Sequence, residues 1–525
     1  MPARRLAVLA ALLVVGAVTF VNAWCGEDAF ITLRTLDNAV RGYGLTWNPY
    51  ERVQAFTHPL WAMVLLPLFA VPREGYFTTV GLSLLLSLAV IGVAARALRE
   101  RPAWSVLLLA ALLVSSKAYV DYSTSGLENP LTHLLVVALY GAVLLGPSAP
   151  WSERRVTRLA LLAALATLNR ADVALAVAPA LLWVVGRAAP TLRARTVRAL
   201  AVGALPLVAW TAFSVVYYGF PFPNTAYAKL NGGQMGPWLH PNAGAYFVNS
   251  LAWDHGTLPL VALGVGVGLV AALRSRQDRV VLAPLAGLAA YLVYAVRIGG
   301  DYMSGRLFAL PLLLAALVLV HVARRPWPAA TLAAGAVLAS LTGPRPPVTS
   351  AGAYAPLPED ATGVRDERGA YATSFGLLAV LREHRYDAGW APQASGYALR
   401  SAPPRAIVWG AIGFSGFVNG PDVPTIDDLG LSDPLLARLP ATNADIGWGR
   451  GHLVRAVPEG YEQSIELGEN RIVDPALHRY YDALLLVTTG PIWRAERFRA
   501  IWALNTGQYR GLLDEYAAHV RASGK

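Results

Sequence analysis

Glu27 and Asp28 are adjacent carboxylates two residues past a long apolar run, Leu6–Trp24. Two acids at the edge of a membrane are costly unless something pairs or uses them. Their position suits a general base that takes a proton from an attacking hydroxyl. Five further polar clusters interrupt the apolar chain: Gln54–Pro59 with His58, Asp121–Asn129 with Glu128, Asn169-Arg170-Ala171-Asp172, Asn224–Lys229, and Gly299–Arg306 with Asp301. These residue types match the needs of a phosphorylated sugar. Arg170, Lys229, Arg297 and Arg306 could hold a phosphate. Glu27, Asp28, Glu128, Asp172 and Asp301 could hold hydroxyls or accept a proton. Trp47, Tyr122, Tyr227 and Trp253 offer ring faces.

Each cluster also has a purely structural reading. Glu27-Asp28 could be a solvated helix end, and Arg34 could pair with Glu27 two turns earlier. His58 before Pro59 could serve only a turn, and Lys229 could be a solvated loop lysine. Asn169, Arg170 and Asp172 could satisfy one another in a tight turn. Asp301 and Arg306 could be an ion pair with the glycines serving the turn.

The elements that must position these residues are apolar. Of 525 residues 55% are hydrophobic and only 15% charged, against about a quarter charged in soluble domains. Mean hydropathy is +0.43, and long apolar runs repeat, so the expected class is a polytopic α-helical membrane protein. The net charge of +11 sits in short loops between apolar runs, which is a topology signal rather than a nucleic-acid signature. The single cysteine, Cys25, excludes an intramolecular disulfide and a cysteine metal cluster.

Placing spans by hydropathy and orienting them by Arg and Lys gives about eleven. They are Leu6–Trp24, Phe77–Ala95, Trp104–Ser116, Pro130–Leu145, Leu159–Leu168, Val173–Val185, Ala199–Val216, Leu258–Leu273, Val280–Val296, Leu307–Val322 and Trp327–Leu341. Pro59–Val71 is too short to cross and reads as an interfacial or re-entrant helix inside a long first loop. The amino terminus is then inside and the carboxyl terminus outside, with every polar cluster on the outer face of a plasma (inner) membrane. Residues 1–342 form the membrane part. The run Gly343-Pro344-Arg345-Pro346-Pro347 opens a polar outer region, 343–525, expected to be mixed α/β. A strand is expected over Ala406–Phe414, and helices over Phe375–His384 and Ala495–Leu504. Trp409, Trp448, Tyr461 and Trp493 suit either its core or glycan stacking.

The string Glu27-Asp28-Ala29-Phe30-Ile31-Thr32-Leu33-Arg34, followed by Arg52–Trp61, resembles the arabinofuranosyltransferase AftB group of GT-C glycosyltransferases. Gly300–Arg306 and Ile426-Asp427-Asp428-Leu429-Gly430-Leu431 are similar to that group too. The departure is Glu27, where the group commonly has Asp, so either acid could be the base. The resemblance implies a polyprenyl-phosphate sugar donor, decaprenyl-phosphoryl arabinose, and a cell-envelope glycan acceptor, cell-wall arabinan. Asp28 and Glu27 are then the catalytic pair. Arg34, His58, Glu128, Asn169, Arg170, Asp172, Asn224, Lys229, Asp301 and Arg306 are the substrate-binding candidates. The partners are donor, acceptor and lipid bilayer, with no nucleic acid. No cofactor is demanded, a divalent cation being the one candidate. A donor such as a mannosyl lipid is the nearest rival, and a lipid-linked sugar flippase the next.

Overall fold

The computed structural model describes residues 2–145, 151–231, 240, 242–350, 352, 354, 356, 363–383, 406–442 and 452–522. In chain order its helices begin α1 Pro2–Val21, α2 Ala29–Val40, α3 Pro59–Ala70, α4 Tyr76–Ala97, α5 Trp104–Val114, α6 Lys117–Asp121, α7 Asn129–Tyr140, α8 Glu153–Asn169 and α9 Val173–Leu192. Then come α10 Ala194–Tyr217, α11 Asn224–Asn231, α12 Ala243–Trp253, α13 Thr257–Arg274, α14 Leu282–Arg297, α15 Ala309–Val322, α16 Pro326–Leu341, α17 Glu367–Phe375 and α18 Leu377–Glu383. Helix starts carry the expected chemistry. Ser116 and Ser152 cap α6 and α8 by accepting from Tyr119 N and Arg155 N, while α3, α7 and α16 have proline in the first turn.

All eleven predicted spans fall on helices. Six are long and apolar enough to cross a membrane: α1, α4, α9, α10, α13 and the segment Asp278–Arg297 that contains α14. Five more apolar helices are shorter, at Pro59–Ala70, Trp104–Val114, Asn129–Leu145, Arg306–Val322 and Pro326–Leu341. Helix α8 is in neither group, because Glu153, Arg154, Arg155 and Arg158 load its first half with charge. At 12 residues α3 reaches only ~18 Å, short of the ~30 Å apolar core of a bilayer. One element of the first loop departs from expectation. Residues 29–40, placed within the long first loop, form α2, buried on nearly every side.

Two compact units divide the chain, and neither follows a cut after residue 342. The first takes Met1–Gly26, Tyr76–Leu207 and Pro237–Ala388; the second takes Glu27–Gly75, Val208–Gly236 and Gly389–Lys525. The compositional boundary at Gly343 is real, but contacts ignore it, because the first loop packs with the carboxyl-terminal region. In the first unit α1 packs on α4 and α5, α7 on α4 and α8, α9 on α14, and α13 on α15.

In the second unit α2 packs on α3 and on a short helix, Phe414–Asn419. Its core joins Phe220 to Ile426, Leu435, Leu436, Tyr461, Leu477, Leu484 and Ile501. The expected strand Ala406–Phe414 shrinks to Ile407–Val408, paired in parallel with Thr425–Ile426. The expected helices appear as Leu377–Glu383, in the first unit, and Ala495–Asn505, in the second. Among the described residues the carboxyl-terminal region is therefore mainly helical, its β content being that two-residue pairing and isolated bridges at Arg365 and Gly376.

Candidate active site

The two units each gather part of the predicted residue set. In the second, Glu27 and Asp28 lie on the turn into α2. Glu27 Oε1 accepts from the backbone N–H groups of Gly413 and Phe414, the latter at 3.1 Å, at the start of the helix Phe414–Asn419. Burial, followed by the charge of Asp28, pushes the Glu27 carboxyl well above the usual carboxylate range, against the pull of those two N–H groups. One acid is therefore anchored by the backbone.

Asp28 is the N-cap residue of α2 but does not cap it with its side chain. Thr32, one turn on, shares its face and sits 2.7 Å from His58 Nε2. His58 is buried, with Thr57 Oγ1 3.3 Å from Nδ1.

Arg34 and Asn224 depart from their predicted roles. The Arg34 guanidinium lies over the Trp47 ring at 3.9 Å. It donates to Trp47 O at 2.9 Å, Gly416 O at 2.7 Å and Val423 O at 3.3 Å. Those bonds leave it a staple inside the unit rather than a phosphate ligand, and they bury Trp47 beneath it. Asn224 donates to Gly430 O and Asp433 O, both at 2.9 Å, and accepts from Arg438. It fixes the turn that the string Ile426–Leu431 makes, where Gly430 holds φ +71°. Asp427 in that string accepts from Leu429 N and Ser432 N, which accounts for its acid without any ligand. Tyr461 is buried with its hydroxyl on Asp433, and Tyr227 is partly buried beside Arg438. Trp448 lies outside the described residues. Lys229 is exposed on α11.

In the first unit five predicted residues form one chain of alternating charge. Asp172 accepts from Arg170 Nε at 2.8 Å, and Arg170 Nη1 donates to Glu128 at 2.9 Å. Arg306 Nη2 donates to the same Glu128 oxygen at 3.3 Å, and its Nη1 is 3.7 Å from Asp301. Glu128 is fully buried. Asn169 braces it, donating to Glu128 O at 2.9 Å and Thr132 Oγ1 at 2.8 Å. Tyr291 donates to Asp172. The glycines of the last turn are required: Gly300 has φ +87°, and a Cβ there would meet the Tyr246 ring. Three carboxylates face two guanidiniums, so this arrangement orients three loops and does not present a ready anion site. Arg297 ends α14. Tyr122 is buried in a cluster with Trp24, Leu127 and Met303, away from the ring-face role.

Sequence reasoning missed Lys117, which is buried and paired with Asp121 and with Asp366 at 2.9 Å in the first unit. A lysine directly after the apolar run ending in Ser115-Ser116 was the available signal. Glu51 was missed too. It is buried, it accepts from Asn48, and burial together with Asp433 raises its carboxyl. Among the described residues no three His, Cys, Asp or Glu side chains are grouped as a metal ion would require.

An acid pair thus opens a buried helix on a polytopic helical chain, and sequence comparison adds two similar proteins. The chain is 29% identical over 343 residues to a terminal beta-(1->2)-arabinofuranosyltransferase of Mycobacterium tuberculosis, covering 58% of this chain and 54% of that protein. It is 28% identical over 344 residues to the protein of the same name from Corynebacterium glutamicum, covering 58% and 49%. The match thus spans about half the length of these curated relatives. No family model matches the chain.

Proposed function

We propose that the chain is a glycosyltransferase that moves an arabinofuranosyl unit from decaprenyl-phosphoryl arabinose to cell-wall arabinan at the outer face of the plasma membrane. An acceptor hydroxyl attacks the anomeric carbon, the bond from that carbon to the phosphate oxygen breaks, and the hydroxyl proton passes to Asp28. The observation that carries this reading is the inequality of the acid pair. Glu27 is held by Gly413 and Phe414, and Asp28 beside it begins α2; the proton-accepting role is assigned to Asp28. The similarity to two arabinofuranosyltransferases supports the choice of sugar. The Glu128 network positions its loops, and Lys229, in the same unit as Asp28, is the cation assigned to the departing phosphate.

Purified protein in nanodiscs, given radiolabelled decaprenyl-phosphoryl arabinose or polyprenyl-phosphoryl mannose with an arabinan oligosaccharide, tests this. Labelled glycan from the arabinose lipid alone is the expected result. Transfer only from the mannose lipid overturns the donor. Donor movement across vesicles without any transfer overturns the enzyme in favour of a flippase.

A further inference from the structure

The second unit carries an exposed aromatic set that the proposed chemistry does not use. Trp493 is 80% exposed, Trp502 68% and Phe498 37%. Phe498 and Trp502 are one turn apart on the helix Ala495–Asn505 and share a face, and Trp493 lies 6.3 Å from Phe498, ring to ring. The opposite face of this helix is buried through Arg497, Ala500 and Ile501. Two apolar faces on one helix of a water-exposed region are unfavourable unless the outer one is also covered.

The position of the helix says what covers it. Arg497 donates to Val216 O at 2.7 Å and Tyr217 O at 2.9 Å, the last carbonyls of α10. Asn505 donates to Gly219 O at 2.8 Å. Both ends of the helix are thus tied to the four residues 216–219. Helix α10 is one of the six long apolar helices. Its apolar stretch, residues 199–216, measures ~27 Å, close to the thickness of a bilayer core. Arg193, Arg195 and Arg198 lie at its other end, so Val216 and Tyr217 mark where the span leaves the lipid. The helix Ala495–Asn505 is fastened at that depth. Trp belongs at this boundary, and the exposed Arg494 and Arg499 complement lipid phosphates.

We infer that Ala495–Asn505 is an interfacial anchor, with Trp493, Phe498 and Trp502 seated in the headgroup layer at the face where α10 ends. It holds the second unit against the membrane. The inference needs α10 to span but does not depend on the sugar donor.

The test uses full-length protein with Cys25→Ser and Trp502→Cys, labelled with bimane, in nanodiscs of phosphatidylethanolamine and phosphatidylglycerol. Both changes leave the core of the second unit intact, and Trp493→Cys provides an independent second position. Lipids spin-labelled at the headgroup or the upper acyl chain are expected to quench the label at least twofold more than aqueous iodide does. Full quenching by iodide with none by the lipids at both positions overturns the anchor. Protection from iodide by an arabinan oligosaccharide, without lipid quenching, also overturns it and assigns the rings to glycan.

Discussion

At Asp28 the expected change is in rate, not in fold. Asp28→Asn keeps the shape but removes the proton acceptor, and turnover is expected to drop ~10²–10⁴-fold. Glu27→Gln keeps an oxygen for the N–H groups of Gly413 and Phe414, so it should lose less. Radiolabel transfer under single-turnover conditions separates the two. Near-normal turnover in Asp28→Asn with loss in Glu27→Gln would exchange the roles. The acid pair itself stands out in the sequence as two adjacent charges beside an apolar run. Its asymmetry does not, since the N–H groups that anchor Glu27 come from residues nearly four hundred positions away, and backbone donors leave no mark in side-chain identity.

Between elements, the arginine staple and the buried acids make separate predictions. Arg34→Ala leaves the carbonyls of Trp47, Gly416 and Val423 without their donor. It should destabilise the second unit by at least about 3 kcal/mol, visible as a lower thermal midpoint, with Arg34→Lys recovering little. Buried carboxyls set the pH response. Burial, ahead of its charged neighbours, raises the Asp427 carboxyl from 3.8 to about 7, and Glu51 and Asp433 are raised by burial as well. A raised acid binds its proton more tightly when folded. Its contribution is therefore complete below pH 4 and is lost as pH climbs toward 7. Thermal midpoints in a fixed detergent are expected to fall between pH 5 and pH 8, and Asp427→Asn should flatten that fall. A midpoint that rises over the range would refute the assignment. Helix positions were readable from runs of apolar residues, as at Pro59. Helix α2 was not, because Thr32, Arg34, Thr35 and Asn38 interrupt its apolar pattern and find their partners only through tertiary contacts.

For the whole molecule, the orientation and the modular division can each be checked. The basic clusters predict the amino terminus inside, so a cysteine placed beside Arg96 should resist membrane-impermeant maleimide in intact cells. Labelling there from outside would reverse the topology. Residues 389–525 expressed alone should not form a cooperative domain, because Arg34, Asn48 and Asn224 supply hydrogen bonds within residues 416–433. Co-expression with residues 27–75 and 208–236 cannot be arranged without the intervening spans. Circular dichroism and thermal melting of the fragment are therefore the measurement, and a sharp melting transition would show that the region folds unaided.

The bond from Glu27 to Gly413 closes a loop of 386 positions. At a ribosomal speed of about 5–20 residues per second, the first acid leaves the ribosome roughly 20–80 s before its partner exists. During that interval the first loop has entered the membrane system without the backbone that anchors it, so the machinery cannot be finished piecemeal as spans insert. A chain stalled or clipped before residue 413 is expected to be inert from the start rather than partly active. Synthesis through residue 414 would then act as a built-in licence, withholding chemistry until the segment that anchors Glu27 has been made.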